Sequence, residues 1–187
     1  MLWGLLLLLR GVLNTLFALY LFASPGLDRL RLYRDFSYVA IADGILALLV
    51  AGFLLRGRRS GSSGPAALGM LDALMRLGLG VAILVWPGIP YSVVLTVIFI
   101  TILAVFALFV GVAGVALAIG QRRREAPGVA VGPLALAAAA SLVFGATLLV
   151  SSPGGVLSGR VLLASYTLVL GGALLAAGWR RRRAPKL

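Results

Sequence analysis

Cysteine and histidine are both missing from this 187-residue chain. Their absence removes disulfides, thiolate nucleophiles, imidazole-ligated haem and His/Cys zinc sites together. It also removes the side chain that ordinarily changes charge between about pH 5 and 8, so proton sensing would fall to carboxylates with a raised pKa. Carboxylates are themselves scarce, with five Asp and Glu in all: Asp28, Asp35, Asp43, Asp72 and Glu125. No nucleophile and base sit together in a catalytic motif, so the chain reads as non-enzymatic, without cofactor or metal.

What is abundant is apolar surface. The chain is 61% hydrophobic with a mean hydropathy of +1.10, against about 45–50% in soluble domains. Six apolar runs can be drawn: about Leu2 to Ala23, Phe36 to Leu55, Ala66 to Trp86, Tyr91 to Ile119, Val129 to Val150 and Val161 to Trp179. Each is long enough to cross roughly 30 Å of hydrocarbon. Pro, Gly and Arg punctuate the joints, and no joint is long enough to be a domain. The expectation is an all-α polytopic membrane protein with six transmembrane helices in one domain, 1–187. The first run carries its only charge, Arg10, inside the apolar stretch and not ahead of it, so it reads as a retained helix and not a signal peptide. The segment LDRLRLYRDF, from Leu27 to Phe36, suits a short interfacial helix, a polar cap or a plain surface loop.

A net charge of +12 is the footprint of nucleic-acid binding when it is clustered, but here the basic residues flank apolar runs and form no stripe interleaved with aromatics. With the N-terminus inside, the inner joints and the C-terminal tail hold eleven Lys/Arg and the outer joints four. That bias places both termini in the cytoplasm. The tail from Arg180 to Lys186 can also attract anionic lipid, at about 1 kcal/mol per charge.

The motifs Ser24-Pro25-Gly26, Trp86-Pro87-Gly88 and Ser152-Pro153-Gly154 recur at separations of 62 and 66 residues. They read as the turns of three repeated helical hairpins, about 1–58, 66–120 and 128–183, in pseudo-threefold arrangement. Gly44 and Gly172 both lie 19 residues beyond the hairpin proline, while Gly111 and Gly114 of the middle hairpin are displaced by about five. The order Leu9-Arg10-Gly11, then a Pro turn, then Ile41-Ala42-Asp43-Gly44-Ile45, loosely repeated twice more, resembles the HdeD family of bacterial acid-resistance membrane proteins. The resemblance covers nearly the whole chain and implies a multi-pass protein of the bacterial inner (plasma) membrane with a role in acid or stress resistance. The third repeat lacks both the early charge and the Asp, and LDRLRLYRDF lengthens the first hairpin loop.

Charges inside hydrocarbon cost about 2.5 kcal/mol or more each and mark the residues to watch. Arg10, Asp43, Asp72 and Arg76 form the expected intramembrane cluster, with Arg76 paired to Asp43 or Asp72 and Arg10 as the second cation. Counting about 1.5 Å per residue puts Arg10 and Asp72 roughly 10 Å from the inner surface and Asp43 roughly 10 Å from the outer one. The cluster reads either as a lock between helices or as the lining of a polar, proton-responsive path. Isolated Ser and Thr within the runs (Thr15, Ser37, Thr101, Ser141, Thr147, Thr167) read as back-bonding or helix-to-helix hydroxyls. Small residues four apart, such as Gly114 with Ala118 and Gly172 with Ala176, allow close helix approach. Spacing alone does not say whether those faces meet within the bundle, in a homo-oligomer or against a membrane-protein partner. Beside the stress-resistance reading stand a small proton-coupled transporter or channel, favoured by internal repeats and buried charge, and an assembly subunit of a membrane complex.

Overall fold

A computed structural model describes residues 2–56, 64–86, 93–123, 131–150 and 156–183. Among them the chain forms six α-helices and no strand: α1 (Leu2–Ala23), α2 (Arg29–Arg56), α3 (Gly64–Val85), α4 (Val93–Arg123), α5 (Val131–Val150) and α6 (Val156–Arg183). Among the described residues three stretches are long and apolar enough to cross a membrane: Gly4–Ala23, Leu30–Phe53 and Arg160–Arg180. Two shorter apolar stretches, Ile100–Ala116 and Ala135–Val150, lie in α4 and α5.

Two helices begin earlier than the hydropathy pattern predicts. The backbone N–H of Arg31 donates to Asp28 Oδ1 at 2.7 Å, and that of Leu32 to Asp28 O at 3.0 Å. Asp28 therefore caps α2, and a side-chain acceptor at this place is what a helix start requires. LDRLRLYRDF is thus mostly the first turns of a 28-residue helix. Asp43 consequently lies about 21 Å along α2, near its middle and not close to one end. Helix α6 starts at Val156, and Arg160, which looked like a loop charge, is a buried helical residue donating to the carbonyl of Ser24. That bond ties the start of α6 to the turn between α1 and α2. Beside it Phe17, Leu21, Leu32 and Ala164 close a small apolar core, with the Phe17 and Phe36 rings 6.3 Å apart. Of the three turn prolines, Pro25 lies in the described turn after α1; Pro87 and Pro153 lie outside the described residues.

The helices close into a ring in chain order, each touching the next and α6 touching α1. The tight contacts run between successive hairpins and not within them: α2 with α3, α4 with α5, and α6 with α1. Glycine permits this approach. A Cβ added at Gly44 would lie 2.8 Å from Leu77 Cγ, at Gly111 2.6 Å from Leu142 Cγ, and at Gly178 2.8 Å from Leu8 Cγ. At the reciprocal positions Gly80, Gly145 and Gly11 an added Cβ would lie 2.7, 2.8 and 2.9 Å from the carbonyl oxygens of Ser37, Ala104 and Gly171. Gly44, Gly111 and Gly178 are 67 residues apart in turn, as are Ser37, Ala104 and Gly171. Gly11, Gly80 and Gly145 are spaced 69 and 65.

This register corrects the alignment by turns. Gly44 corresponds to Gly178 and not to Gly172, which is exposed and has nothing within 4 Å of an added Cβ. One residue away, Gly171 carries the contact, because a step of one turns a helical position by about 100°. Gly114 does pack, with an added Cβ 2.8 Å from Ala138 Cβ across the α4–α5 seam.

Polarity is arranged inside out. Along α1, Leu5, Leu9, Val12, Leu16 and Leu19 are exposed, while Arg10, Asn14, Phe17 and Leu21 are buried. Helix α4 presents Ile98, Ile102, Val105, Phe109 and Val112 outward and turns Ala104, Ala107 and Gly111 inward. An apolar surface that continues around the molecule far exceeds the few hundred Å² that soluble monomers expose. Small interior residues beneath it are the packing mode of helices in lipid, where the interior cannot be chosen by hydrophobicity alone.

Candidate functional site

The four charges of the expected cluster come from three helices and meet near the middle of the bundle. Asp43 on α2 receives Arg10 Nε on Oδ1 at 2.8 Å and Arg10 Nη2 on Oδ2 at 3.0 Å, a bidentate pair. Arg76 Nη1 lies 3.0 Å from Asp43 Oδ2, and Arg76 Nε donates to Asp72 Oδ1 at 2.9 Å. Arg10 Nη2 reaches Asp72 Oδ2 at 3.5 Å and closes the circuit. The result is an alternating square, Arg10–Asp43–Arg76–Asp72, with no net charge. Two guanidinium forks suit it because each can face two carboxylates in one plane.

Local sequence sets this up with little strain. Asp72 and Arg76 are four apart and therefore share one face of α3. Arg10 and Asn14 share a face of α1 for the same reason. Asn14 donates one amide hydrogen to Arg10 O at 2.9 Å and the other to Asp43 Oδ1 at 3.1 Å. This residue was not singled out from the sequence, although its i+4 spacing from Arg10 was the signal. Burial is uneven: the side chains of Arg10 and Asp43 are 8% and 1% exposed, those of Asp72 and Arg76 16% each. An isolated charge in this setting would be prohibitive, and the square is tolerable because every charge has two opposite neighbours.

The square forms one wall of a central cavity of about 50 Å³ to which all six helices contribute. Asn14, Asp43, Asp72 and Arg76 make its polar end. The rest is largely apolar, with Phe106 and Val110 from α4, Phe144 from α5 and Met75 from α3. Tyr166 of α6 stacks on Phe144 with ring centroids 4.2 Å apart, and its hydroxyl lies 3.4 Å from Ser141 Oγ. Ile102 lines the cavity yet is 50% exposed on the outside of the bundle. Of the neighbouring helices in the ring, α3 and α4 touch least.

The remaining hydroxyls are mostly local. Thr101, Ser141, Thr147 and Thr167 each donate to the carbonyl four residues earlier, at 2.9, 3.0, 2.7 and 2.9 Å, and Ser37 to the carbonyl of Arg34 at 2.6 Å. Thr15 differs. Its Oγ1 is buried without a partner, against the backbone of Gly171. Among the described residues no group of three or more carboxylates could hold a metal ion.

Searches against protein-family models, curated proteins and solved structures find no match to this chain.

Proposed function

We propose that this chain is a multi-pass protein of the bacterial inner membrane that contributes to acid or stress resistance without an enzymatic step, as its likeness to the HdeD family implies. In this reading all six helices span the bilayer as three related hairpins, with both termini in the cytoplasm and the basic tail against anionic lipid. The observation that carries it is the inverted polarity: an apolar exterior around a charge-balanced square and a polar-ended cavity. Three stretches meet the length and hydropathy of a span outright. The 67-residue register relates α2, α4 and α6 to one another, so what holds for α2 and α6 extends to α4.

Two measurements test the reading. The absence of native cysteine makes single-cysteine mapping clean: Ser24→Cys should be labelled from outside intact cells and Gln121→Cys only after permeabilisation. The opposite pattern would reverse the topology, and labelling of both from outside would break the six-span reading. Bacteria expressing the chain should survive an acid shock better than cells carrying empty vector, and equal survival would remove the stress role.

A second reading, a small proton-coupled transporter, is favoured by the cavity to which all six helices contribute. Sealed liposomes containing the purified protein would then acidify at a different rate from protein-free ones after an external acid pulse. Matching traces would remove it.

A further inference from the structure

We propose that the central cavity binds an undissociated short-chain monocarboxylic acid, of the size of acetic or propionic acid, with its carboxyl group at the polar end formed by Asn14 and Arg76. The square leaves few of its polar groups unused. All four carboxylate oxygens have a guanidinium within 3.5 Å, so the cavity offers little to a cation. Arg76 commits its Nε and Nη1 to Asp72 and Asp43, and among the described residues no hydrogen bond or ion pair engages its Nη2. That nitrogen is not among the sealed, unpartnered atoms, which among the described residues comprise Thr15 Oγ1 alone. Arg76 itself lines the cavity. Asn14 spends both amide hydrogens on Arg10 and Asp43, which leaves its carbonyl oxygen as an acceptor.

An N–H donor and a carbonyl acceptor on two residues that line one cavity are the complement of a carboxylic acid, which accepts on its carbonyl oxygen and donates from its hydroxyl. Charge selects the protonated form. The square is neutral, and a carboxylate added to it would be a buried charge without compensation. The rest of the wall is apolar and aromatic, which calls for an alkyl end. Size bounds the occupant, since a volume of about 50 Å³ admits only a small molecule of a few heavy atoms. Acetic acid has four and propionic acid five.

The route of entry follows from the sparse contact of α3 with α4 and from Ile102 of α4, which lines the cavity and is half exposed. That route rests on the membrane reading above, since an undissociated acid dissolves in lipid and would arrive from the side. Binding itself does not depend on that reading.

The test uses the full chain purified in detergent, with radiolabelled acetic acid as the probe and empty micelles as baseline. At a pH where the acid is undissociated, the expected result is saturable uptake at one site, competed by propionic acid and not by ethylammonium. Uptake should fall as the pH is raised through the acid's own pKa. Ala107→Leu and Val110→Phe, which add carbons to the cavity wall, should each lower affinity at least about tenfold, or about 1.4 kcal/mol, with unchanged melting. Uptake that never saturates above the micelle baseline, competition by ethylammonium, or undiminished affinity in either folded variant would overturn the proposal. The wild-type saturation and competition decide it even if both variants fail to fold. Acid survival without acetic acid binding would sink this inference and leave the proposed function standing, whereas binding without survival would do the reverse.

Discussion

At two positions of the shared register, those of Arg10 and Asp43, the first hairpin carries charge where its two counterparts carry hydrocarbon. Helix-to-helix glycine contacts align Arg10 with Leu79 and Phe144, and Asp43 with Val110 and Ala177. Leu79, Phe144 and Val110 line the cavity as Asp43 does. A position that holds a buried ion in one sector thus holds a hydrocarbon side chain in the other two, within the same tight seams. The ring can therefore be built without charge at these places. The square is an addition to the fold, and by that comparison it serves the cavity and not the packing.

The sharpest way to break the comparison is to remove one corner. Asp43→Asn leaves Arg10 and Arg76 each without its best partner, and the expected loss is about 3–5 kcal/mol. Reversible unfolding in mixed micelles would measure it, and a loss near zero would mean that the square is not formed in the protein. Next comes a seam. Gly44→Val places side-chain carbons where Leu77 N and Ala73 O already lie 3.0 and 3.1 Å from a mere Cβ. The cost should be about 1–3 kcal/mol. Gly111→Val should cost a similar amount if the 67-residue register is a true equivalence, and a large disparity between the two would dissolve it.

Smaller still is the paired exchange Arg10→Leu with Asp43→Val, which copies the chemistry of the other sectors. Asp72 and Arg76 remain as a self-neutralising i,i+4 pair, so stability should stay within about 1 kcal/mol of wild type. A loss as large as that of Asp43→Asn would show that the first sector needs its charge. The least effect belongs to Gly172→Ala, which has open space around it and should fall within about 0.5 kcal/mol either way.

Much of this was legible in the sequence for physical reasons. Four charges within apolar runs had to find one another, because none could remain alone in hydrocarbon, and the structure brings Arg10, Asp43, Asp72 and Arg76 within hydrogen-bonding reach. Helix starts were less legible, since hydropathy alone cannot see Asp28 capping a stretch of mixed polarity. The repeat register was obscured because aligning Pro25, Pro87 and Pro153 assumes turns of equal length, whereas the conserved quantity is the distance between seams. Asn14 was missed because an amide amid leucines carries no pattern until its neighbour four residues back is known to be bound. The cavity could not be read at all, since it arises from six helices that touch unequally.

The most direct measurement is acid-shock survival of bacteria expressing the Arg10→Leu/Asp43→Val chain, scored against wild type at matched membrane abundance and matched melting temperature. The account predicts a protein that assembles normally and no longer protects. Full protection by that folded variant would contradict it, because the charges that distinguish the first sector would then serve no purpose in the function assigned to them.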